Sequence, residues 1–284
     1  MSGKKHIFNN IRNKLKVSFD YQSGGFYHMN YKERYTHIAE LIRNKKRVLV
    51  TDLAAHFNVS EVTIRKDLTH LEEIGICRRF HSGAVAATEA GIIDVPVKHK
   101  VTIAKDLKDR IARLAVTLIE PDNTVMIDAG STAHLIAYHL KGRRNIRVVT
   151  NSLMVGSELA DETGIEVVLT GGNVYSVSQA LVGSLAIEAL RRIHVDIAFV
   201  GAMGVSIERG FTSPTLAEAQ CKEAMFAGAG KKVIVTDHTK LEQVSFAKFA
   251  GFPDVDILVT DSQADSEIVN KYRNAGLDVM LASE

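Results

Sequence analysis

Hydroxyl, glycine and carboxylate residues cluster in the segment MIDAGSTAHLIAYHL. Asp128 closes an apolar run, Gly130 follows it, and Ser131 and Thr132 begin a stretch with helical spacing. Backbone N–H groups at the start of a helix, with two hydroxyls beside them, form a site for an anion such as phosphate. Serine and threonine also begin many helices as simple N-caps, which is the alternative interpretation.

Two common classes of nucleotide-binding site are not supported by this segment. It lacks the lysine and the spacing of a P-loop, and the chain has no GxGxxG fingerprint. ATP and dinucleotides are therefore not expected, and no cofactor is predicted. The eleven histidines are dispersed, and no Cys/His pair has the spacing of metal ligands, so no metal site is predicted either.

Polar residues also follow other apolar runs of the chain. Asn151–Ser152 and Gly171–Gly172 each follow one such run, and VTDHTKL places Asp237 and Lys240 after another. The carboxyl ends of parallel strands open at the same edge of a sheet. These residues are therefore expected to line one cleft together with Asp128.

Glu218 and Lys222 lie four residues apart on a helix that is expected to begin near Pro214. Pointing into the cleft, they can hold the hydroxyls and phosphate of a small sugar. As a plain surface pair they would contribute only about 0.3–0.5 kcal/mol. Asp128, Asp237, Glu218 and Lys240 could also supply an acid–base pair for enediol chemistry, so a sugar-phosphate isomerase is the alternative function.

These polar positions need a scaffold that brings strand ends together. Short apolar, β-branched runs indicate buried strands, and helical sequence lies between several of them. This alternation predicts a parallel α/β sheet whose ligand loops lie at the carboxyl ends of the strands. The predicted strands are TVMIDAG, IRVVTNS, IEVVLTGG, VDIAFVGA, KKVIVTD and VDILVTD.

The chain before these strands has a different character. Residues 31–44 have helical spacing, Thr51 can cap a short second helix DLAAHF, and Asn58 begins a turn. Ser60 caps a third helix that reaches Glu73. Two short helices joined by a tight turn are typical of a helix-turn-helix. The inner side of the third helix would carry Ile64, Leu68 and Leu71.

The outer face of the third helix is polar and basic. Arg65 and Lys66 can reach guanine edges or phosphates, and Thr63 can reach a phosphate or a base edge. Glu61 could accept a hydrogen bond from a cytosine amino group, and Val62 could contact a thymine methyl group. An ordinary solvated surface is the alternative interpretation of Arg65 and Lys66.

The segment ICRRFHSGAVA is expected to form a β-hairpin after this helix. Gly75 would end the helix, residues 76–81 would form a strand, and Ser82–Gly83 is a turn signal. Such a wing lays its basic side chains along the sugar–phosphate backbone, which positions the helix without reading sequence. The predicted DNA-binding residues are Ser60, Glu61, Val62, Thr63, Arg65, Lys66, Arg78, Arg79 and His81.

Charge is distributed unevenly along the chain. Up to Thr88 there are 15 Lys/Arg and 8 Asp/Glu, whereas the rest of the chain has 20 and 25. A basic amino-terminal part followed by an acidic remainder suggests that the amino-terminal part binds a polyanion, with chance asymmetry as the alternative. Two cysteines are too few for a disulfide framework, and no apolar run suits a signal peptide or a membrane span. A cytoplasmic protein without a membrane partner is expected.

The segment VSEVTIRKDLTHLEEIGICRRFHSGA resembles the DNA-binding signature of the DeoR family of bacterial transcriptional regulators. The motifs IDAGSTA, VVTNSL, LTGG, VDIAFVGAMGV, GFTS…EAQCKEAM and VTDHTK follow in the order of that family's effector domain. The resemblance implies a winged helix-turn-helix domain followed by a parallel-sheet α/β effector domain similar to ribose-5-phosphate isomerase. This chain has Lys66, Ser82 and Ala133 where the family often has arginine, glycine and threonine.

The resemblance also implies a function. It predicts a regulator, usually a repressor in this family, of a sugar-utilisation operon, whose affinity for double-stranded operator DNA changes when a phosphorylated sugar binds. A homodimer or homotetramer is expected, because a helix-turn-helix usually reads a pseudo-palindrome. The effector residues implied by the resemblance are Asp128, Gly130, Ser131, Thr132, Asn151, Ser152, Gly171, Gly172, Glu218, Lys222, Asp237 and Lys240.

The expected organisation has four parts. Residues 1–28 form a loosely ordered tail, 29–88 the winged helix-turn-helix domain, 89–105 a linker and 106–284 the effector domain. A helical pattern over 106–118 follows the linker. We hypothesise that this helix connects the effector pocket to the linker and to a subunit interface.

Overall fold

A computed structural model defines the fold of most of the chain. The predicted tail at 1–28, the predicted helix stop at Gly75 and the first part of the predicted linker lie outside the residues that it describes. The described residues are 31–45, 47–73, 76–86, 96–101 and 103–283.

The amino-terminal part combines helices with a small antiparallel sheet of strand order β1–β3–β2. Its two short helices and hairpin match the predicted winged helix-turn-helix. Its elements are α1 (Tyr31–Lys45), β1 (Arg47–Leu49), α2 (Val50–Phe57), α3 (Glu61–Glu73), β2 (Cys77–Phe80) and β3 (Gly83–Ala86).

The start of α2 differs from the prediction. Leu49 occupies the N-cap position without a side-chain hydrogen bond, and Thr51 lies in the first turn, so the predicted cap by Thr51 is wrong. The hairpin takes over the role of a cap, because the Val50 N–H donates to the Ser82 carbonyl over 2.9 Å. The predicted turn at Asn58 is confirmed, since this residue has a left-handed φ of 52°.

The predicted start of α3 is confirmed. The Ser60 hydroxyl accepts a hydrogen bond from the Thr63 N–H over 3.1 Å, which satisfies one free donor of the first turn. A buried ion pair joins α1 to α3, with the Arg34 Nε 2.5 Å from the Asp67 Oδ2. The small core beneath them contains Ile38, Ile42, Val48, Leu53, Ile64, Leu68, Leu71 and Cys77.

The hairpin turn lies one residue earlier than predicted. Residues 81–82 form the turn, and Gly83 is the first residue of β3 rather than part of the turn. Strand β1 passes close to Gly83, where a Cβ atom would lie 2.1 Å from the Val48 carbonyl oxygen. Glycine is therefore needed at this position for strand pairing and not for the turn.

The second part of the described chain is built on a parallel sheet of strand order β15–β14–β12–β9–β4–β5–β6. All six predicted strands are confirmed within it. The seventh, β15, was not predicted, because its residues alternate in burial and do not form a continuous apolar run. The strands are β4 (Thr124–Ile127), β5 (Ile146–Thr150), β6 (Ile165–Leu169), β9 (Val195–Val200), β12 (Ala229–Val235), β14 (Ile257–Asp261) and β15 (Asp278–Ala282).

Helices cover both faces of this sheet. Val125 and Ile127 pack toward α5, α6 and α7, whereas Met126 faces the opposite core with α8, α9 and α10. Both faces are buried, which explains why the strands are apolar throughout. The helices are α4 (Val97–Lys100), α5 (Lys105–Val116), α6 (Ser131–Leu140), α7 (Leu153–Leu159), α8 (Ser184–Arg191), α9 (Leu216–Ala227) and α10 (Ser266–Asn274).

Shorter strands decorate the sheet and were not predicted. They form an antiparallel sheet of order β10–β11–β13 and a hairpin of β7 with β8. With three or four residues each, they are too short to give a recognisable period in the sequence. They are β7 (Asn173–Tyr175), β8 (Ala180–Val182), β10 (Gly204–Ser206), β11 (Gly210–Ser213) and β13 (Ala247–Ala250).

The last residues of the predicted linker lie against the second part of the chain. Helix α4 falls within the predicted linker, and the Val97 N–H donates to the Val177 carbonyl oxygen over 2.7 Å. Helix α5 begins at Lys105, one residue before the predicted helix, and ends at Val116 instead of residue 118. Among the described helices, none has the length and apolarity that a membrane crossing requires.

Candidate functional sites

The amino-terminal end of α3 presents the side chains that were predicted to read DNA. Glu61, Val62 and Lys66 are exposed, and 63% of Val62 is accessible to solvent. Thr63 is half-buried, and its hydroxyl lies 2.9 Å from that of Ser60. An exposed valine between polar residues has no intramolecular role in the described fold. It suits contact with a thymine methyl group.

Arg65 connects α3 to the hairpin. One terminal nitrogen of its guanidinium donates to the His81 carbonyl oxygen over 3.0 Å, and the other donates to the Glu61 Oε2 over 3.3 Å. Both contacts are exposed, so each is weak and can be exchanged for a DNA contact.

The hairpin holds its predicted DNA-binding residues in different ways. His81 is exposed at the turn. The Arg79 guanidinium donates to the Thr69 hydroxyl, and the Arg79 N–H donates to the Glu72 Oε1 over 2.7 Å. Arg79 is therefore tied to α3. The Arg78 side chain lies outside the described part of the structure, although its backbone is in β2.

One basic residue near the hairpin was missed. The Arg47 guanidinium on β1 lies 4.5 Å from the centre of the Phe80 ring and is exposed. It lies in the basic run KKRV, to which no DNA contact was assigned from the sequence. The structure shows that this run continues into a strand of the same small sheet.

In the second part of the chain, Asp128 and Lys222 form a buried ion pair at the carboxyl end of β4. The Lys222 ammonium donates to the Asp128 Oδ2 and, over 3.0 Å, to the Gly201 carbonyl oxygen. The Gly201 N–H donates to the same carboxylate oxygen over 3.1 Å. These extra bonds offset part of the cost of burying two charges.

Glu218 and Lys222 are both buried, so the alternative of a solvated surface pair is wrong. Helix α9 begins at Leu216, two residues after the expected start near Pro214, because Thr215 is its N-cap. The Glu218 N–H donates to the Thr215 hydroxyl over 3.2 Å, and that hydroxyl lies 3.0 Å from the Glu218 Oε2.

Helix α6 begins at Ser131, as predicted, after Ala129 and Gly130. Gly130 is its N-cap residue, and a side chain at this position would meet no atom within 4 Å, so space is open beside it. Ser131 and Thr132 are nearly buried. The first N–H groups of a helix have no partner within that helix, so this turn retains donors for an anion.

Asn151 and Ser152 follow β5, next to β4. The Asn151 side-chain nitrogen donates to the Leu181 carbonyl oxygen over 3.3 Å, while its buried Oδ1 has no partner among the described residues. An unpaired buried acceptor is costly and suits a ligand hydroxyl. The Ser152 hydroxyl already accepts the Val155 N–H over 3.2 Å as the N-cap of α7.

The two glycines after β6 have separate roles. Gly171 has a φ of +71° and faces open space, whereas a Cβ atom on Gly172 would lie 2.7 Å from the Val182 carbonyl oxygen. Gly172 therefore allows the close approach of β8. Both follow the edge strand of the sheet, one strand farther from Asp128 than Asn151.

Asp237 and Lys240 lie after β12. Asp237 is the N-cap of a short 3-10 turn (His238–Lys240), and the Thr239 N–H and hydroxyl donate to its Oδ1. Burial raises the pKa of the Asp237 carboxyl, but Lys240, Thr239 and Lys108 outweigh it and hold that pKa below its usual value. Asp237 is therefore ionised at neutral pH.

Lys108 is a buried lysine that sequence reasoning missed. Its Nζ, on α5, donates to the carbonyl oxygens of Lys100 and Ile103 over 2.7 Å each. Burial lowers the pKa of the Lys108 ammonium to about 8; Asp237 opposes this shift, and Lys240 and Lys100 add to it. The sequence contained a signal, since Lys108 occupies the inward stripe of α5 together with Ile111.

Apart from Gly171 and Gly172, these residues lie after the neighbouring strands β12, β9, β4 and β5 or on α5, α6 and α9, and we call this predicted binding region the polar cleft. Strands in a sheet lie about 4.8 Å apart, so the ends of β4 and β12 are separated by about 10 Å. That span suits a small phosphorylated molecule. Two surface grooves of about 390 and 420 Å³ lie elsewhere, beside His134 and Arg147, and no predicted site residue lines either of them.

A small DNA-binding module joined to an α/β domain with a polar cleft defines the class of a ligand-responsive DNA-binding protein. Residues 34–90 match the model of the DeoR-like helix-turn-helix domain, and residues 103–262 match that of the DeoR C-terminal sensor domain. The chain belongs to the DeoR family of transcriptional regulators.

Named relatives extend over most of this chain. The HTH-type transcriptional regulator GolR of Listeria innocua is 33% identical over 88% of this chain and 98% of that protein. The putative aga operon transcriptional repressor of Escherichia coli O157:H7 is 31% identical over 89% and 94%. The HTH-type transcriptional repressor GlcR of Bacillus subtilis is 30% identical over 90% and 98%.

Among solved structures, ribose 5-phosphate isomerase A of Methanocaldococcus jannaschii aligns with 48% of this chain and 54% of that chain. The sequence identity is 22% and the TM-score is 0.37. A likeness at that level carries no conclusion about activity.

Proposed function

We propose that this protein is a transcriptional repressor whose operator affinity falls when a phosphorylated sugar binds in the polar cleft. The observation that carries the proposal is the set of contacts that Lys108 makes. Its buried ammonium binds two carbonyls of the segment before α5 and also interacts electrostatically with Asp237 and Lys240. One residue therefore connects the cleft to the segment that leads toward the DNA-binding domain.

The effector is proposed to bind with its phosphate near the cationic side of the cleft. The first turn of α6 offers N–H donors and the hydroxyls of Ser131 and Thr132, and Lys108 and Lys240 supply positive charge. A dianionic phosphate would compensate the mutual repulsion of these two lysines. The required charge complementarity excludes neutral sugars as tight ligands.

The sugar hydroxyls are proposed to bind at the opposite side. The unpaired Asn151 Oδ1 accepts a hydrogen bond from one hydroxyl. The buried Glu218 carboxylate, which already accepts the Thr215 hydroxyl, accepts a hydrogen bond from another. Lys222 remains on Asp128 and holds that carboxylate in place. The bound state thus gives a partner to an acceptor that has none among the described residues.

Coupling to DNA follows from competition for Lys108. In the structure its ammonium donates to the carbonyls of Lys100 and Ile103. A phosphate within reach would draw this ammonium away and release those carbonyls. A ligand shifts such an equilibrium only by its differential affinity for the two states, which is typically about 1–3 kcal/mol.

DNA binding is proposed to use α3 in the major groove and the hairpin on the backbone. Val62 and Lys66 are exposed for base or phosphate contact, and Arg65 exchanges its surface bonds for DNA. His81 and Arg47 would contact phosphates. We further propose that two or four copies assemble on a pseudo-palindromic operator in the cytoplasm.

A mobility-shift titration tests this function. The duplex is the DNA upstream of the protein's own gene, the reference is a random duplex, and the effectors are a panel of pentose and hexose phosphates. Preferential binding of the upstream duplex and its release by at least one phosphorylated sugar are expected. Release by the unphosphorylated sugar at equal concentration would contradict the proposal. Measurable isomerisation of any panel member would favour an enzyme instead.

A further inference from the structure

The carboxylate of Asp261, at the end of β14, is fully buried but was assigned no role from the sequence. Three donors surround it. The His238 N–H reaches its Oδ2 over 2.8 Å, and the His238 Nδ1 and the Gln263 N–H reach its Oδ1 over 2.8 and 3.1 Å. Because a buried carboxylate is costly without such partners, this arrangement is specific and not incidental.

Two of the three donors belong to one residue of the turn that carries Asp237 and Lys240. The backbone N–H of His238 ties the main chain of the turn to Asp261. The ring nitrogen ties the His238 side chain to the same carboxylate. A carboxylate can only accept, so Nδ1 carries the hydrogen in this bond. Within the described part of the chain, no hydrogen bond reaches the other ring nitrogen, Nε2.

The same turn is held from its other side by Thr236. Its hydroxyl donates to the Ala202 carbonyl oxygen over 3.1 Å, and its N–H donates to the Val259 carbonyl oxygen over 3.2 Å. Asp261 and Thr236 therefore anchor the turn to β14 and to the loop after β9. Both anchors lie outside the predicted effector residues.

We infer that Asp261 and His238 are positioning residues of the effector site. They hold the turn at His238–Lys240 so that the Asp237 carboxylate and the Lys240 ammonium stay at the cleft. Neither residue contacts the effector. This inference rests on the proposed function, because it assigns the pair to the same sensing site.

Two substitutions of His238 separate positioning from direct contact. Asparagine places an amide nitrogen near the position of the imidazole Nδ1, so His238→Asn retains the bond to Asp261. Glutamine places its amide nitrogen near the position of Nε2, so His238→Gln retains a direct contact and loses the anchor. Asp261→Asn replaces one acceptor oxygen by a donor and opposes the donors that surround it.

Asp256→Asn is the matched control. Asp256 lies just before the same strand, at its opposite end, and its carboxylate also accepts a backbone N–H, that of Lys232, over 2.7 Å. It is exposed and far from the turn along β14. Its loss should change neither the turn nor the cleft.

The first measurement is amide hydrogen exchange of the full-length protein, which needs no effector. Faster exchange over residues 236–241 is expected for Asp261→Asn and His238→Gln, with β4 and β9 unchanged. His238→Asn and Asp256→Asn should match the parent. Unchanged exchange in both Asp261→Asn and His238→Gln would overturn the inference.

The second measurement is calorimetric titration with inorganic phosphate and with the same panel of sugar phosphates. Loss of one charge-assisted hydrogen bond corresponds to about tenfold weaker binding, which is expected for His238→Gln and not for His238→Asn. The opposite order would identify His238 as a direct contact and refute positioning. Absence of anion binding in the parent itself would refute the proposed function. The amide hydrogen exchange over residues 236–241 would still test whether Asp261 and His238 hold the turn.

Discussion

The outer face of α3 and the polar cleft hold similar residue types in opposite ways. On α3, Arg65 bonds to Glu61 four residues away and to the adjacent hairpin, and these side chains are exposed. In the cleft, Lys222 bonds to Asp128, 94 residues away, and both are buried. Local spacing defines the first surface, whereas only the tertiary fold defines the second.

This difference has an energetic consequence. Exposed ion pairs contribute roughly 0–1 kcal/mol, so Arg65 can leave Glu61 for a DNA base or phosphate at little cost. Removing one partner of a buried pair costs several times more. In the proposed function, the outer face of α3 therefore binds DNA by exchanging hydrogen-bond partners, whereas the buried pair in the cleft is preorganised.

The largest expected effect is the loss of stability on breaking the buried Asp128–Lys222 ion pair. Lys222→Met leaves the buried Asp128 carboxylate with the Gly201 N–H as its one remaining hydrogen-bond donor among the described residues. The free energy of unfolding should therefore fall by about 3–5 kcal/mol. Chemical denaturation monitored by circular dichroism measures it. Lys141→Met is the control, because Lys141 pairs with Glu158 at the surface. Equal stability of the two variants would show that the Asp128–Lys222 pair is not desolvated in solution.

The second prediction concerns the pH dependence of stability through Lys108. Its folded-state pKa of about 8 lies below the ordinary value of 10.5, so the folded protein binds fewer protons between these values. The contribution of Lys108 to the free energy of unfolding should therefore rise with pH across that window, by about 3 kcal/mol. In Lys108→Met this rise should disappear, and sugar phosphates should no longer release DNA.

Denaturation curves at several pH values, combined with mobility shifts, measure both effects. Lys105→Met is the matched control, because Lys105 is an exposed lysine at the start of the same helix. It should retain the pH-dependent rise and the effector response. A parent-like rise in Lys108→Met would mean that Lys108 is solvated and cannot connect the cleft to the preceding segment.

Lys108 also shows where sequence reasoning reached its limit. The apolar runs predicted six strands of the main sheet, and cap and periodicity predicted α3, because these signals are local. A lysine in an apolar stripe contradicts the pattern that defines the helix, and the charged residues that shift its pKa, Asp237 and Lys240, lie far along the chain. The Asp128–Lys222 bond was missed for the same reason, since nothing local distinguishes it from the Glu218–Lys222 pair.

The third prediction tests the exchangeable face. Arg65→Ala should weaken binding to the upstream duplex by about 1–3 kcal/mol while leaving sugar-phosphate binding intact. Arg192→Ala is a matched control, because Arg192, at the C-cap of α8, pairs with Glu188 in the same i,i+4 spacing. Mobility shifts on both variants give the comparison. Equal operator affinity for Arg65→Ala and the parent would reject α3 as the recognition helix.

The smallest expected effects compare one N-cap from each region. Ser60 caps α3 on the exposed face, and Ser152 caps α7 beside the cleft. Alanine at either position should lower the free energy of unfolding by about 1 kcal/mol. In each cap the serine oxygen accepts the helix N–H, so the hydroxyl hydrogen can still donate to DNA or to an effector.

The two N-cap substitutions should therefore affect different binding activities. Ser60→Ala should weaken operator binding, and Ser152→Ala should weaken sugar-phosphate binding, each by roughly the 0.5–1.5 kcal/mol of one hydrogen bond. Threonine at either position keeps both the cap and the donor, and so should restore binding. If Ser152→Ala loses stability yet binds sugar phosphates as the parent does, its hydroxyl is only a cap. The polar cleft would then end at Asn151 on that side.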